Sequence, residues 1–368
     1  MKKGNMMKML ALLLVLVLAF AMTGCAKTVE QSSLSGTEES VSAEVSESME
    51  ASESASAETS SALVEGDFTI GITQIVDHPS LNLCRQGAID KLAEMGFVEG
   101  QNLTINYEDA QNDSNIATTI AQQFVSDGVD AIIAIATPSA QAAYAASMGQ
   151  IPIIFAAVSE PTAAGLTNED GTNLVGVTGT SDKLPVEATF RLIQQLTPDV
   201  KTIGILHNTS EVNSDVQLAQ AQEMAPEYGF TIEDVGVTSS NEISSALDAL
   251  LPKVDAIMNL TDNMVVASLA LIVQRCNDAM IPLYGSEDTQ VTKGALASAG
   301  VDYYALGQIT GEMVANVLLG TPAEEIPTAV LTEPMLIVNS DQVSLLGLTI
   351  PDSLAATAQQ VTTNTTAQ

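Results

Sequence analysis

Apolar residues in this chain fall into short continuous runs rich in Val and Ile, each followed by a longer stretch in which they recur at helical spacing. The runs predict buried strands near 68–74, 103–107, 131–136 and 152–156, and again near 201–206, 231–236, 255–260 and 281–284. The stretches between them predict helices near 80–95, 114–127 and 138–148, then 183–196, 212–227, 241–251 and 263–277. Strands of this kind alternating with helices imply parallel sheets covered on both faces, an α/β class.

The pattern repeats itself. "FTIGITQI" from Phe68 matches "KTIGILHN" from Lys201, and both reach a Gly-Phe after the same interval, at Gly96-Phe97 and Gly229-Phe230. "GVDAIIAIATPSA" from Gly128 matches "KVDAIMNLTDNMV" from Lys253, and "IPIIFAAVSE" from Ile151 matches "IPLYGSED" from Ile281. Likeness among parallel strands explains the apolar runs but not the equal spacing. Two such lobes place the loops at the carboxyl ends of their strands around a shared crevice, where open α/β sheets bind ligands.

The ends change the picture. Lys2, Lys3 and Lys8 precede an apolar run over 9–21 and then "MTGC", a secretory signal too short to span a bilayer. A cysteine directly after Thr23-Gly24 resembles the lipobox of bacterial lipoproteins, which implies cleavage after residue 24 and lipid on Cys25. Residues 25–66 form a Ser/Glu/Ala-rich tether, almost without large apolar residues, that cannot offset its ordering entropy. The remainder is long enough for two domains. With 12 Lys+Arg against 45 Asp+Glu, the formal charge is −33. No basic cluster stands out, which argues against a nucleic-acid partner. Cys84 and Cys276 fall in predicted helices of different lobes and read as unpaired core residues. Two histidines and no C-x-x-C leave no metal motif and no implied cofactor.

The order of elements resembles the type I periplasmic-binding fold, the ribose-binding-like class: two Rossmann-like lobes with parallel sheets, joined by a three-segment hinge. "VDYYALGQITGEMVANVLLG" is similar to the helix by which that class returns to its first lobe, and "PTAVLTEPMLIV" then crosses to the second. "HPSLN", "IATPSAQ", "LTPDVKTIGIL" and "SEVNS" resemble substrate-binding lipoproteins of ABC importers for tryptophan, tyrosine and related amino acids. The resemblance implies lobe 1 over 67–177 plus 302–327, lobe 2 over 178–298 plus 333–354, and a flexible tail over 355–368. It also implies a monomer anchored by lipid to the extracytoplasmic face of the cell membrane. Such a protein captures a free amino acid, aromatic by this likeness, and delivers it by hinge closure to a permease with its ATPase. A sugar or nucleoside receptor, or a surface adhesin or sensory lipoprotein of the same fold, stands as the alternative.

Candidate chemistry lies in the strand-end loops. "IATPSAQ" predicts a strand ending at Thr137, with Thr137 as cap, Pro138 opening a helix, and the Ser139 and Ala140 amides free for a carboxylate. A plain capped helix explains the same residues. Thr137 aligns in the repeat with Asp262, which is expected either to take a ligand's ammonium or to cap its own helix. Gln74, Glu160, Asn208, Asn213, Thr261, Asn263, Glu287 and Asp302 are the other polar candidates. His78, Phe155, Tyr284, Tyr303 and Tyr304 are candidate flat walls, each equally explicable as core. The chain's arginines, Arg85, Arg191 and Arg275, all sit inside predicted helices, with Arg85 kept as a reserve carboxylate clamp. No Gly-x-Ser-x-Gly occurs and neither histidine neighbours a plausible nucleophilic serine, so no enzyme activity is expected.

Overall fold

In the computed structural model, which describes residues 63–331 and 333–363, the two Thr-Ile-Gly-Ile segments lie at the same place in two different sheets. The signal run, Cys25 and the tether up to residue 62 lie outside the described residues, as do residues 364–368. The first half runs β1 (Phe68–Gln74), α1 (Pro79–Glu94), β2 (Leu103–Asp109), α2 (Ser114–Asp127), β3 (Ala131–Ile135), α3 (Thr137–Ser147), β4 (Ile153–Ala156) and β5 (Val177–Ser181). The second half begins with α4 (Val186–Leu196), β6 (Thr202–Asn208), α5 (Val212–Met224), β7 (Thr231–Val237), α6 (Ile243–Leu250) and β8 (Ala256–Met258). It continues with α7 (Asn263–Ala267), α8 (Leu269–Ala279), β9 (Leu283–Gly285), α9 (Asp288–Thr292) and β10 (Ala297–Gly300). The chain closes with α10 (Tyr303–Leu318), β11 (Ala329–Val330), β12 (Met335–Asn339), α11 (Ser340–Leu345), α12 (Asp352–Ala355) and β13 (Gln359–Val361).

One sheet has the order β11-β5-β4-β3-β1-β2 and the other β13-β12-β10-β9-β8-β6-β7. Each therefore repeats the same winding, second strand outside the first and the rest on the other side. Every ladder is parallel except β10 with β12. The glycine of the repeated tetrad has a packing reason in both lobes. A side chain on Gly71 would collide with the Phe124 ring of α2, and one on Gly204 would press on Ile257 and on Leu250 of α6.

The chain crosses between lobes three times, over 182–185, over 301–302, and between β11 and β12. This corrects the expected boundaries. β5 belongs to the first sheet, although lobe 2 was expected to begin at 178. Its sequence, VTGTS, is short of aliphatic residues but fully buried, because Thr180 hydrogen-bonds Thr310 (2.9 Å) and Thr178 the Ile326 carbonyl (2.7 Å). The expected flexible tail contains β13, which pairs with β12 at the sheet edge. The single helix expected over 263–277 is two, α7 and α8, separated at Ser268.

α10 returns to lobe 1 and lies directly on α1. Gly307 permits the contact, since a Cβ there would land on the Cys84 carbonyl oxygen, and Gly87 and Gly311 make similar approaches. Gly307→Ala is expected to lower stability by ~1–3 kcal/mol through overpacking, read as a lower melting temperature; an unchanged melt would mean the helices separate freely. Cys84 and Cys276 are free thiols, both buried, in different lobes. No helix among the described residues is long and apolar enough to cross a membrane.

Candidate ligand-binding site

The carboxyl ends of the two sheets face each other across a shut cleft. Ser80 at the start of α1 hydrogen-bonds Thr289 of α9 (2.5 Å), and Ser159 after β4 hydrogen-bonds Thr261 before α7 (2.7 Å). At the rim Gln220 of α5 donates to Glu160 (2.9 Å). These contacts enclose a cavity of about 10 Å³, room for roughly one water.

Of the residues expected from sequence, His78, Thr137, Asn213, Thr261, Asp262, Asn263 and Glu287 line this cavity. Ala157 and Ser159 come from the candidate loop between Phe155 and Glu160, Tyr303 is a wall as weighed, and Leu81, Asp182 and Val266 are additions that the strand-end loops do not predict. Asp182, with Asp302 in the corresponding place after β10, stands on the first crossing, beyond the sequence blocks that match between the halves. Its position as the first acid after a strand end is the signal that was there to use.

Other candidates sit elsewhere. Tyr284 and Phe155 are fully buried core residues; the Tyr284 hydroxyl is spent on Thr197 (2.8 Å). Gln74 is buried beneath α1, bonded to Asn82 and Val76 and accepting from Arg85. Arg85 lies 4.0 Å over the Tyr107 ring and does not reach the cavity. Asp302 caps α10 through the Ala305 amide (2.9 Å) at an exposed position. Tyr304 bonds Asp90 on the outside of lobe 1. Asn208 lies behind the wall, bonded to Glu211 (3.0 Å), and Glu160 is at the rim.

The start of α3 differs from expectation by one residue. Ala136, not Thr137, is the N-cap, with φ 75° and ψ 157°, a conformation that costs an ordinary residue about 1–3 kcal/mol. The Ala140 amide closes the first helical bond onto the Ala136 carbonyl (3.0 Å) and is not free. The Thr137 and Ser139 amides have no partner among the described residues, and the buried Ser139 hydroxyl has none either. The helix therefore presents two uncommitted N–H groups and its positive end toward the cavity.

Three buried acids are also in the lining, Asp182 on the first crossing and Asp262 and Glu287 on the second lobe, and no Lys or Arg lines the cavity. Asp182 accepts from the Tyr303 hydroxyl and from Ser159 (2.9 Å), and burial pushes its carboxyl up. Glu287 is bonded by side chains: the hydroxyls of Thr289 (3.2 Å) and Ser80, and the amide of Gln290. Burial pushes it up to about 7, with Asp288 adding to the rise. Asp262 is committed: one oxygen caps α7 at the Val265 amide (2.9 Å), and the other takes the Asn208 amide (2.5 Å) and the Ser214 hydroxyl (2.8 Å). Burial lowers His78 to about 4, so its ring is neutral. The lining chemistry suits a small molecule carrying both an anion and a cation, which a cavity of about 10 Å³ admits only when the lobes part.

The description "ABC transporter substrate binding protein" belongs to the family model that matches residues 69–362. A tyrosine-binding protein of Clostridioides difficile (strain R20291) is 40% identical over 279 residues, 76% of this chain and 81% of that protein. An ABC domain from Streptococcus pneumonia in complex with L-Trp is 35% identical, with a TM-score of 0.78 over 80% of this chain and 100% of that one. A ligand-free, open substrate-binding protein with adhesive properties from Clostridium difficile is 39% identical, with a TM-score of 0.62 over 81% of this chain and 100% of that one. The more similar sequence thus has the less similar shape, as expected when a shut cleft is laid on an open one.

Proposed function

The chain belongs to the family of ABC transporter substrate-binding proteins, and from that premise we propose that it captures a free aromatic amino acid between its lobes and delivers it to an ABC permease. The observation that carries the reading is a cavity with an uncommitted helix start on one wall and buried acids, with no basic side chain, on the other. The α-carboxylate binds the Thr137 and Ser139 amides. The α-ammonium binds Glu287, whose oxygens take only side-chain hydrogen bonds and are freer than those of Asp262. The rings of His78 and Tyr303, with Leu81 and Val266, form the walls for the side chain. The names of the tyrosine-binding and L-Trp-bound relatives support an aromatic one.

Because carboxylate and ammonium are held by different lobes, the ligand is fully bound only when the cleft is shut, and its binding shifts the hinge toward the form a permease reads. Lipid on Cys25 would hold a monomer at the extracytoplasmic face, with the tether giving it reach. Catalysis has no part in this reading.

A thermal-shift screen tests it. A ligand at ~100 times its Kd adds ~2.7 kcal/mol of stability. Tyrosine, tryptophan or phenylalanine is expected to raise the melt, while ribose, glucose and adenosine leave it unchanged. Tyramine, lacking the carboxylate, is expected to bind weakly. A shift with a sugar and with no amino acid would overturn the reading.

A further inference from the structure

Behind the second-lobe wall lies a carboxylate that does not touch the cavity. Glu211, between β6 and α5, is 3% exposed. It accepts hydrogen bonds from the side-chain amides of Asn208 (3.0 Å), Asn213 (3.3 Å) and Asn263 (2.6 Å), and from the backbone amides of Asn263 (3.2 Å) and Met264 (3.4 Å). No basic side chain is among its partners.

Asn213 and Asn263 are cavity residues, so Glu211 decides which way they face. The Asn213 Nδ2 group donates to Glu211 and to the Thr261 carbonyl (3.0 Å). Both of its hydrogens are thereby spent on acceptors. The Oδ1 atom is left buried with no hydrogen-bond partner among the described residues, in a side chain that lines the cavity. Asn263 likewise turns its Nδ2 to Glu211, and its side chain meets His78 across the cleft. An asparagine carbonyl left bare in a closed cavity is costly unless a donor arrives.

We propose that Glu211 is a positioning residue that locks the Asn213 amide with its carbonyl toward the ligand, making this wall accept hydrogen bonds and so select molecules that bring N–H donors. The inference rests on the amino-acid reading above. A glutamine at 211 keeps the shape but replaces one acceptor oxygen by an NH2 group facing donors. The asparagine amides relieve that clash by turning over, and Asn213 then offers N–H to an ammonium that already has three. Selection for the amino group is lost while the carboxylate end is untouched.

Calorimetric titration of L-tyrosine and of its des-amino analogue, 3-(4-hydroxyphenyl)propionate, tests this in wild type, Glu211→Gln, Asn213→Ala and the double variant. The readout is the ratio of the two dissociation constants within each protein, which a general loss of stability does not move. Wild type is expected to favour tyrosine by ~100-fold or more, and each single variant to lose ~10-fold of that preference. The double variant should lose no more than either single one, because both act on one amide. If Glu211→Gln does not fold, Asn213→Ala alone decides: a wild-type ratio in that variant overturns the proposal. A wild-type ratio in Glu211→Gln also overturns it, leaving the amino-acid reading intact. Wild type that prefers the des-amino compound overturns the amino-acid reading and this inference with it.

Discussion

Glu287→Gln is expected to weaken binding of an amino-acid ligand by ~10- to 100-fold, the value of one charge-assisted hydrogen bond of ~1.5–3 kcal/mol. The isosteric change preserves the contacts to Thr289 and Ser80 but removes the negative charge that faces the ammonium. The same group makes affinity depend on pH. In the folded protein it titrates near 7 against an ordinary value of 4.5, so a proton must leave for the ammonium to be neutralised. Affinity is therefore expected to fall as the pH drops below 7. Stability of the unliganded protein runs the other way. A folded carboxyl that holds its proton more tightly than the unfolded one contributes fully below pH 4.5, and that contribution is lost as the pH climbs to 7. Calorimetry at pH 6 in buffers of different ionisation enthalpy should show wild type releasing about one proton more than Glu287→Gln. Equal proton release in the two proteins would remove Glu287 from the ammonium site.

Asp262→Asn is expected to act on the fold rather than on the ligand. The aspartate ties the β6 end, α5 and α7 together through three donors shared between two oxygens. An asparagine has one carbonyl, so at least one buried donor loses its acceptor and meets an NH2 group instead. Each such loss costs ~1–3 kcal/mol, partly offset by relief of repulsion with the Glu211 carboxylate. A net fall of ~2 kcal/mol should lower the melting temperature by ~3 °C in a protein of this size. The alignment of Asp262 with Thr137 suggests a different outcome, an intact melt with lost affinity, and that result would restore Asp262 to the ammonium.

The repeat is visible because both halves solve one packing problem: a buried parallel strand with a glycine under a covering helix, at Gly71 and again at Gly204. It locates the loops that reach the cleft, and hence His78, Thr137, Thr261 and Glu287. It carries no information on what each polar group is already bonded to. Asp262 is the better cap of the two aligned residues because aspartate can take three donors, whereas at Thr137 the cap position has passed to Ala136. Asp182 escapes because the matched sequence blocks stop before β5 and β10, so its pairing with Asp302, each on the crossing after an equivalent strand, emerges only from the sheet order. Tyr284 and Phe155 were read as walls because aromatic rings at strand ends are ambiguous until their neighbours are known. Tyr284 faces inward since Thr197, just past the end of α4 and far away along the chain, supplies a partner for its hydroxyl. β5 and β13 were missed for a related reason, as their polar side chains or edge position are satisfied only by distant segments.

The Ser80–Thr289 and Ser159–Thr261 pairs that join the lobes bear on residence time. Neutral hydroxyl contacts gain little over their hydration, so the lobes part without separating opposite charges across those pairs. These two pairs then add little to the dwell of the closed form, and their own contribution should barely respond to ionic strength. Neutral pairs of this kind re-form as readily as they part, so the cleft shuts with or without cargo, and a molecule that bridges both sides lengthens the closed state.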